Sequence, residues 1–122
     1  MTFWCGSRRL RCYRYVSGQA FLPHYDGSQQ AAALTDEGRE LRELAGRRSR
    51  YSCLIYLNSL GIDFEGGATA LLPSGEAGAA VRVAPEAGSA LVFPHGDHPK
   101  SLLHAGEAVT SGTKYVIRTD IF

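Results

Sequence analysis

A histidine and an aspartate stand two positions apart at the end of an apolar run, in Pro23-His24-Tyr25-Asp26. On an extended strand, residues two apart project to the same side. The imidazole of His24 and the carboxylate of Asp26 can therefore reach one metal ion. A second imidazole from a distant strand would complete a set of two histidines and one carboxylate, which leaves adjacent positions open on Fe(II). By itself, the H-x-D tripeptide is more often part of a surface loop.

A second histidine and a lysine lie ten residues apart near the end of the chain, at His104 and Lys114. We expect a hairpin between them that returns the lysine to the side of the histidine strand. There the ammonium group can bind a carboxylate as a compact point charge. A metal site beside such a group suits a small dicarboxylate that also chelates the metal.

Four segments of the chain appear in a characteristic order. They are RYVSGQAFLPHYD at 14–26, LIYLN at 54–58, EGGAT at 65–69 and the stretch from His104 through Arg118. This ordered set resembles the catalytic core of Fe(II)/2-oxoglutarate-dependent dioxygenases, specifically their prolyl 4-hydroxylase-like branch. The segment 83–93 resembles the turn into the sixth core strand of that family. The resemblance covers about residues 10–121, except for an insert at 27–49.

The resemblance implies a role for five residues of this chain. His24, Asp26 and His104 match the ligands of Fe(II). Lys114 matches the residue that binds the C5 carboxylate of 2-oxoglutarate. Tyr15, nine residues before His24, matches a tyrosine that lines the co-substrate pocket and can donate a second hydrogen bond to that carboxylate.

Three further residues match pocket positions of the family but also fit another role. Tyr56 and Thr69 occupy positions that usually face the co-substrate pocket, although both also fit an ordinary core. Arg118 lies four residues after Lys114 and hence on the same strand face. It either points into the cavity toward a substrate group or pairs with an acid such as Asp120 at the barrel rim.

The roles of four other polar residues stay open at this point. Arg11 and Tyr13 share a strand face with Tyr15 and raise the same question as Arg118. His95 and His98 are rival metal ligands, but neither has a lysine ten residues later. We therefore interpret these two histidines as loop residues near the entrance of the site.

The resemblance implies a hydroxylase that uses Fe(II), 2-oxoglutarate and O2, with ascorbate to keep the iron reduced. Such enzymes hydroxylate an unactivated C–H bond of a peptide, a protein or a small molecule, and the sequence does not identify the substrate. One alternative is a jelly-roll module that binds metal or ligand without turnover, or a truncated inactive fragment. Another is a cupin-like zinc hydrolase, in which a dedicated carboxylate anchor has no role.

Short apolar segments bounded by turn residues predict eight strands. They are 10–16, 20–25, 51–58, 68–72, 80–84, 89–93, 101–104 and 114–122. This pattern predicts an all-β fold, as an antiparallel sandwich, a jelly roll or a barrel, and the resemblance implies the double-stranded β-helix, or jelly roll. The exception is the segment 36–45, where Thr35 resembles a helix cap and a thin apolar stripe follows. We expect one inserted helix there, lying over the barrel.

Length and charge restrict the remaining classes. The chain has 122 residues, which corresponds to one domain over 1–122. Its net charge of +1 argues against a nucleic-acid binder. We find no apolar run of membrane-spanning length and no secretory signal, and three cysteines without a paired pattern favour reduced thiols in an intracellular setting. Only about nine residues precede the core, so a fragment, a truncated gene model and a minimal form all stay open.

Overall fold

The computed structural model describes residues 9–35, 37–73 and 79–122. These residues form eleven β-strands. The strands are β1 (Arg11–Val16), β2 (Phe21–His24), β3 (Gln30–Leu34), β4 (Leu41–Arg48), β5 (Tyr51–Tyr56), β6 (Phe64–Gly66), β7 (Thr69–Leu72), β8 (Val81–Val83), β9 (Ala90–Pro94), β10 (Leu103–Gly106) and β11 (Val109–Ile121). All eight predicted strands are confirmed, with small shifts at their ends.

Two antiparallel sheets form the body of the fold. The larger sheet has the order β1-β11-β5-β9, and β6 pairs with the first part of β11. The smaller sheet has the order β2-β10-β7-β8. Successive strands cross between these sheets, so that β9 belongs to the larger sheet, β10 to the smaller and β11 to the larger again. The predicted all-β jelly roll is thus confirmed.

Alternation along the larger sheet separates an inner face from an outer one. On β1, Tyr13 and Tyr15 are half-buried while the intervening Arg14 is exposed. Tyr13 pairs with Val116 on β11, and Val116 pairs with Tyr56 on β5. Residues on facing positions of a sheet share one side, so these side chains form one inner surface. Tyr56 and Val116 are buried in the core.

The predicted helix over 36–45 is wrong in its described part, because residues 41–48 form strand β4. It pairs with β3 in a two-stranded ribbon, with Leu34 opposite Leu41. Gly38 has a φ of +65° in the connecting turn, a conformation that favours glycine over other residues and that an α-helix excludes. A short helix with a thin apolar stripe is marginal in water, whereas the ribbon satisfies its backbone by pairing. Asp36 lies outside the described residues.

The expected hairpin between His104 and Lys114 is also wrong. His104 lies on β10 in the smaller sheet, and Lys114 lies on β11 in the larger one. Between them the chain crosses from sheet to sheet, and the amide of Glu107 donates to the carbonyl of Ala68 along the way. The two side chains therefore meet across the interior and not along one hairpin.

Two smaller expectations concern the cysteines and membranes. Cys12 and Cys53 are free thiols, as predicted, while Cys5 lies outside the described residues. Among the residues that the structure describes, no helix is long and apolar enough to cross a membrane.

Candidate metal and co-substrate site

His24, Asp26 and His104 come together at one end of the smaller sheet. His24 ends β2 and stands directly opposite His104 on β10, with ring centroids 4.3 Å apart. Asp26 follows β2 immediately. One potential ligand atom from each residue lies within 4.8 Å of the others. Two imidazole nitrogens and one carboxylate oxygen form the donor set that suits non-heme Fe(II).

Both histidines hold their rings by the same hydrogen bond. Nδ1 of His24 lies 2.7 Å from the carbonyl oxygen of Leu22, and Nδ1 of His104 lies 3.0 Å from that of Leu102. A carbonyl oxygen only accepts, so each Nδ1 carries the proton and donates. This tautomer, in its neutral form, carries the lone pair on Nε2, which is the form that binds a metal.

Asp26 supplies a negative charge to the same point. Its Oδ1 lies 3.3 Å from Nε2 of His24, and its Oδ2 lies 3.4 Å from Nε2 of His104. Burial alone would raise the pKa of Asp26. The close imidazole of His104, the hydrogen bond from Ser52 and the charge of Arg118 outweigh burial and hold that pKa well below its ordinary value. The carboxyl group is therefore ionised and able to bind a cation.

Lys114 is a buried ammonium on the opposite wall of the same cleft. Within the part of the chain that the structure describes, its hydrogen-bond acceptor is the carbonyl oxygen of Gly67, at 2.7 Å. The ammonium also lies 5.4 Å from the ring of Tyr15 and 5.9 Å from that of Tyr56. Burial lowers the pKa of Lys114 to about 8. A lysine with three N–H donors and one such acceptor is suited to an anionic ligand.

Three predicted pocket residues surround this lysine. Tyr15, Tyr56 and Thr69 all line the cleft. The hydroxyl groups of Tyr56 and Thr69 lie 2.7 Å apart, which joins β5 of the larger sheet to β7 of the smaller one. Burial, with a smaller contribution from Tyr13, raises the pKa of Tyr15 to about 12. The Tyr15 phenol is therefore a neutral hydrogen-bond donor.

Arg118 combines both of the arrangements considered from sequence. One guanidinium nitrogen lies 3.2 Å from Oδ1 of Asp120, so the pair with Asp120 is present. Its Nε lies 3.3 Å from Oδ2 of Asp26, and the side chain lines the same cleft as His24 and His104. This Nε is buried without a hydrogen-bond partner in the described residues. Arg118 thus places a positive charge behind the carboxylate.

The cleft between the two walls opens toward solvent at an aromatic edge. The empty space in the cleft, open solvent included, is about 490 Å³. Tyr13 and Phe21 stand at this edge, with ring centroids 6.4 Å apart in an edge-to-face arrangement. The ring of Phe21 also packs 4.1 Å from the ring of His24. Arg11, which shares the strand face of Tyr13, pairs with Arg118 in register on β11.

The expectation that His95 is an entrance residue is wrong, because its side chain is fully buried. It hydrogen-bonds with the hydroxyl groups of Ser49 and Ser52. His95 lies behind Asp26 and is linked to it through Ser52. Its ring can be buried there because both ring nitrogens have hydrogen-bond partners. Sequence reasoning also missed Ser52, although its spacing from Tyr56 on β5 would have placed both on one face. His98 is partly exposed and lies 3.4 Å from the hydroxyl of Tyr51.

The family comparison covers nearly the whole described chain. Residues 10–119 match the model of the 2OG-Fe(II) oxygenase superfamily. The chain therefore belongs to the 2OG-Fe(II) oxygenase superfamily, with the fold of its prolyl 4-hydroxylase-like members. A search of curated proteins found no significant match.

Two solved structures show the same fold. One is a Pseudomonas putida prolyl-4-hydroxylase, with a TM-score of 0.59 and 18% identity over 96% of this chain. The other is a viral collagen prolyl hydroxylase from Paramecium Bursaria Chlorella virus-1 in complex with 2OG, with a TM-score of 0.56 and 21% identity over 95%. This chain spans 54% and 61% of their lengths, respectively.

Proposed function

We propose that this chain is an Fe(II)- and 2-oxoglutarate-dependent dioxygenase that hydroxylates an unactivated C–H bond. The observation that carries the proposal is the position of Lys114 in the same cleft as His24, Asp26 and His104. A metal-binding module needs the three ligands only. A buried ammonium on the opposite wall adds the group that a chelating dicarboxylate requires.

In this proposal, His24, His104 and Asp26 hold the metal through two Nε2 atoms and a carboxylate oxygen. A bound Fe(II), with 2-oxoglutarate and O2, would supply the oxidation that converts 2-oxoglutarate to succinate and CO2 and inserts oxygen into the substrate C–H bond. The protein contributes position, charge and exclusion of water.

The residues of the larger sheet bind and orient the co-substrate. Lys114 exchanges its contact with the carbonyl of Gly67 for the C5 carboxylate, or shares its N–H donors between them. The phenol of Tyr15 donates a second hydrogen bond to that carboxylate. The Tyr56–Thr69 pair forms the wall beside it and keeps water from the ammonium.

The substrate enters at the aromatic edge formed by Tyr13 and Phe21. We propose a peptide or protein side chain as the first substrate class, because both similar structures are prolyl hydroxylases. A small molecule is the second class to be tested. The flat rings of Tyr13 and Phe21 offer an apolar contact to either.

The test is succinate release by the chain in air with Fe(II), ascorbate and 2-oxoglutarate. Ascorbate is proposed to keep the iron reduced. We expect slow release without substrate, a faster rate with a suitable member of a panel of proline-containing peptides and small molecules, and no release from Asp26→Ala. A thermal transition that rises with Mn(II) and 2-oxoglutarate establishes that the chain is folded and binds both. If that transition rises but no succinate forms with any substrate, the chain is a non-catalytic binding module and the proposal is wrong.

A further inference from the structure

A chain of buried hydrogen bonds leads away from Asp26 on the side opposite the cleft. The hydroxyl of Ser52 lies 2.6 Å from Oδ2 of Asp26 and 2.7 Å from Nδ1 of His95. Nε2 of His95 lies 2.8 Å from the hydroxyl of Ser49. The exposed fractions of Ser49, Ser52 and His95 are 2%, 0% and 0%. Solvent therefore does not compete for these contacts.

The partners fix the direction of every proton in this chain. An ionised carboxylate only accepts, so the Ser52 hydroxyl donates to Asp26. The oxygen of Ser52 then accepts, and Nδ1–H of His95 is its donor. Nε2 of the same neutral ring accepts from the Ser49 hydroxyl, whose oxygen accepts from the amide of Gln29 at 2.8 Å. Burial lowers the pKa of His95, which agrees with a neutral ring.

The chain of bonds distinguishes the two oxygens of Asp26. Oδ2 is held by Ser52 and lies beside the Nε of Arg118. Oδ2 also lies 3.4 Å from Nε2 of His104, and Oδ1 lies 3.3 Å from Nε2 of His24. The carboxylate is therefore fixed in one rotation, with Oδ2 held by Ser52 and each oxygen beside the Nε2 atom of one histidine.

The far end of the chain of bonds lies at the base of the β3–β4 ribbon. Gln29 immediately precedes β3, and Ser49 immediately follows β4. The amide of Ser49 donates to the carbonyl of Gln29 at 2.8 Å, while the amide of Gln29 donates to the Ser49 hydroxyl. This reciprocal pair closes the ribbon and fixes the hydroxyl that orients His95.

We propose that Ser52 and His95 are positioning residues that fix the rotation of the Asp26 carboxylate between His24 and His104 and tie that orientation to the base of the ribbon. The inference rests on the proposed metal site. Neither residue touches the metal or the co-substrate. Each acts through the residue that it orients, and loss of such partners typically weakens metal binding.

The experiment measures the affinity of the full chain for Mn(II), from the electron paramagnetic resonance signal of the free ion. Ser52→Ala and His95→Leu should each weaken binding by roughly 10- to 100-fold. His95→Asn places an amide N–H near the position of Nδ1, so it should restore much of the loss seen with His95→Leu. The matched control is Cys53→Ala, a neighbouring buried residue on β5 that faces the other side of the strand, and it should bind Mn(II) as the unmodified chain does.

Urea unfolding in the presence of a chelator separates orientation from folding. The Ser52→Ala variant loses a single oxygen and should stay folded, so the decision rests on it if His95→Leu does not fold. The proposal is overturned if folded Ser52→Ala binds Mn(II) as tightly as the unmodified chain while Asp26→Ala does not bind. If the unmodified chain itself does not bind Mn(II), the proposed function fails, and this inference fails with it.

Discussion

His24 and His104 stand directly opposite each other on neighbouring antiparallel strands, and each ring donates from Nδ1 to the carbonyl oxygen two residues before it. The site thus has a local symmetry: two strands present the same nitrogen in the same way to one point. Asp26 supplies the charge at that point from the segment after β2. Among the described residues, His95 and His98 lie outside this cluster and have other hydrogen-bond partners.

The first prediction concerns the two histidines. His24→Ala and His104→Ala should each reduce Mn(II) affinity by roughly 10- to 100-fold or more, because each removes a ligand nitrogen. His98→Ala is the matched control, since this histidine is partly exposed and contacts Tyr51 instead. Equilibrium dialysis measures the bound metal. Loss of metal in His98→Ala with retention in His104→Ala would show that the ligands are assigned wrongly.

The second prediction concerns the anchor for the co-substrate. Lys114→Ala should weaken 2-oxoglutarate binding by roughly 10- to 150-fold, because a hydrogen bond to a charged group contributes about 1.5–3 kcal/mol. Mn(II) affinity should stay unchanged, since Lys114 is not a metal ligand in this arrangement. Lys100→Ala, at an exposed lysine, serves as the control. Isothermal titration calorimetry measures the affinity for Mn(II) alone, and then the affinity for 2-oxoglutarate with Mn(II) present. An unchanged 2-oxoglutarate affinity in Lys114→Ala would move the anchor to Arg118 or Arg11.

A third prediction follows from the pKa of Lys114, which burial lowers to about 8. The charged ammonium binds the carboxylate and the neutral amine does not. Affinity for 2-oxoglutarate should therefore be maximal below pH 8 and fall as the pH rises above it, by up to about tenfold per pH unit. Tyr15 stays protonated over this range, because its pKa is raised to about 12.

The matched variant for this pH dependence is Lys114→Arg. Its guanidinium stays charged throughout, so its affinity, although weaker, should not vary between pH 7 and 9 in the way that the lysine does. Anaerobic titrations with Mn(II) measure both proteins. An unmodified chain with the same flat profile as Lys114→Arg would contradict the prediction.

The fourth prediction compares two glycines with similar backbone conformations. Gly61 and Gly112 have φ values of +82° and +72°, so alanine strains the backbone at both positions. At Gly61 an added Cβ meets nothing within 4 Å, whereas at Gly112 it would lie 2.3 Å from the carbonyl oxygen of Asp63. Gly61→Ala should lower the free energy of unfolding by about 1–2 kcal/mol.

Gly112→Ala should lower the same free energy by about 1–3 kcal/mol beyond Gly61→Ala, because β6 must move to make room. Urea denaturation measures both variants. Equal losses would mean that backbone strain alone accounts for the effect and that β6 yields freely.

The sequence predicted the larger part of this arrangement for local reasons. Strands such as β5 and β11 carry dense β-branched and aromatic residues between turn signals, and that pattern is readable without tertiary information. The residues His24, Asp26, His104 and Lys114 could be singled out because their types and spacing resemble a known core.

The errors concern contacts between segments that are distant in sequence. The charges at 36–45 fit helix ends as well as an exposed hairpin, and pairing between β3 and β4 decided the outcome. The burial of His95 depends on Ser49 and Ser52, which lie 46 and 43 positions away. Nothing in the immediate neighbourhood of His95 indicates these partners. The spacing between His104 and Lys114 suggested a hairpin, but it spans a crossover between sheets.

The crossover makes the distance from the proposed metal ligands to Lys114 a property of the whole fold. His24 and His104 belong to one hydrogen-bonded sheet and Lys114 to the other, so no backbone ladder fixes their separation. It is fixed by the side chains between the sheets, including the Tyr56–Thr69 pair. The affinity for a dicarboxylate that spans this gap should therefore depend on the distance between the two sheets. Substitutions that change that spacing should alter co-substrate affinity even where they touch neither the metal ligands nor the lysine.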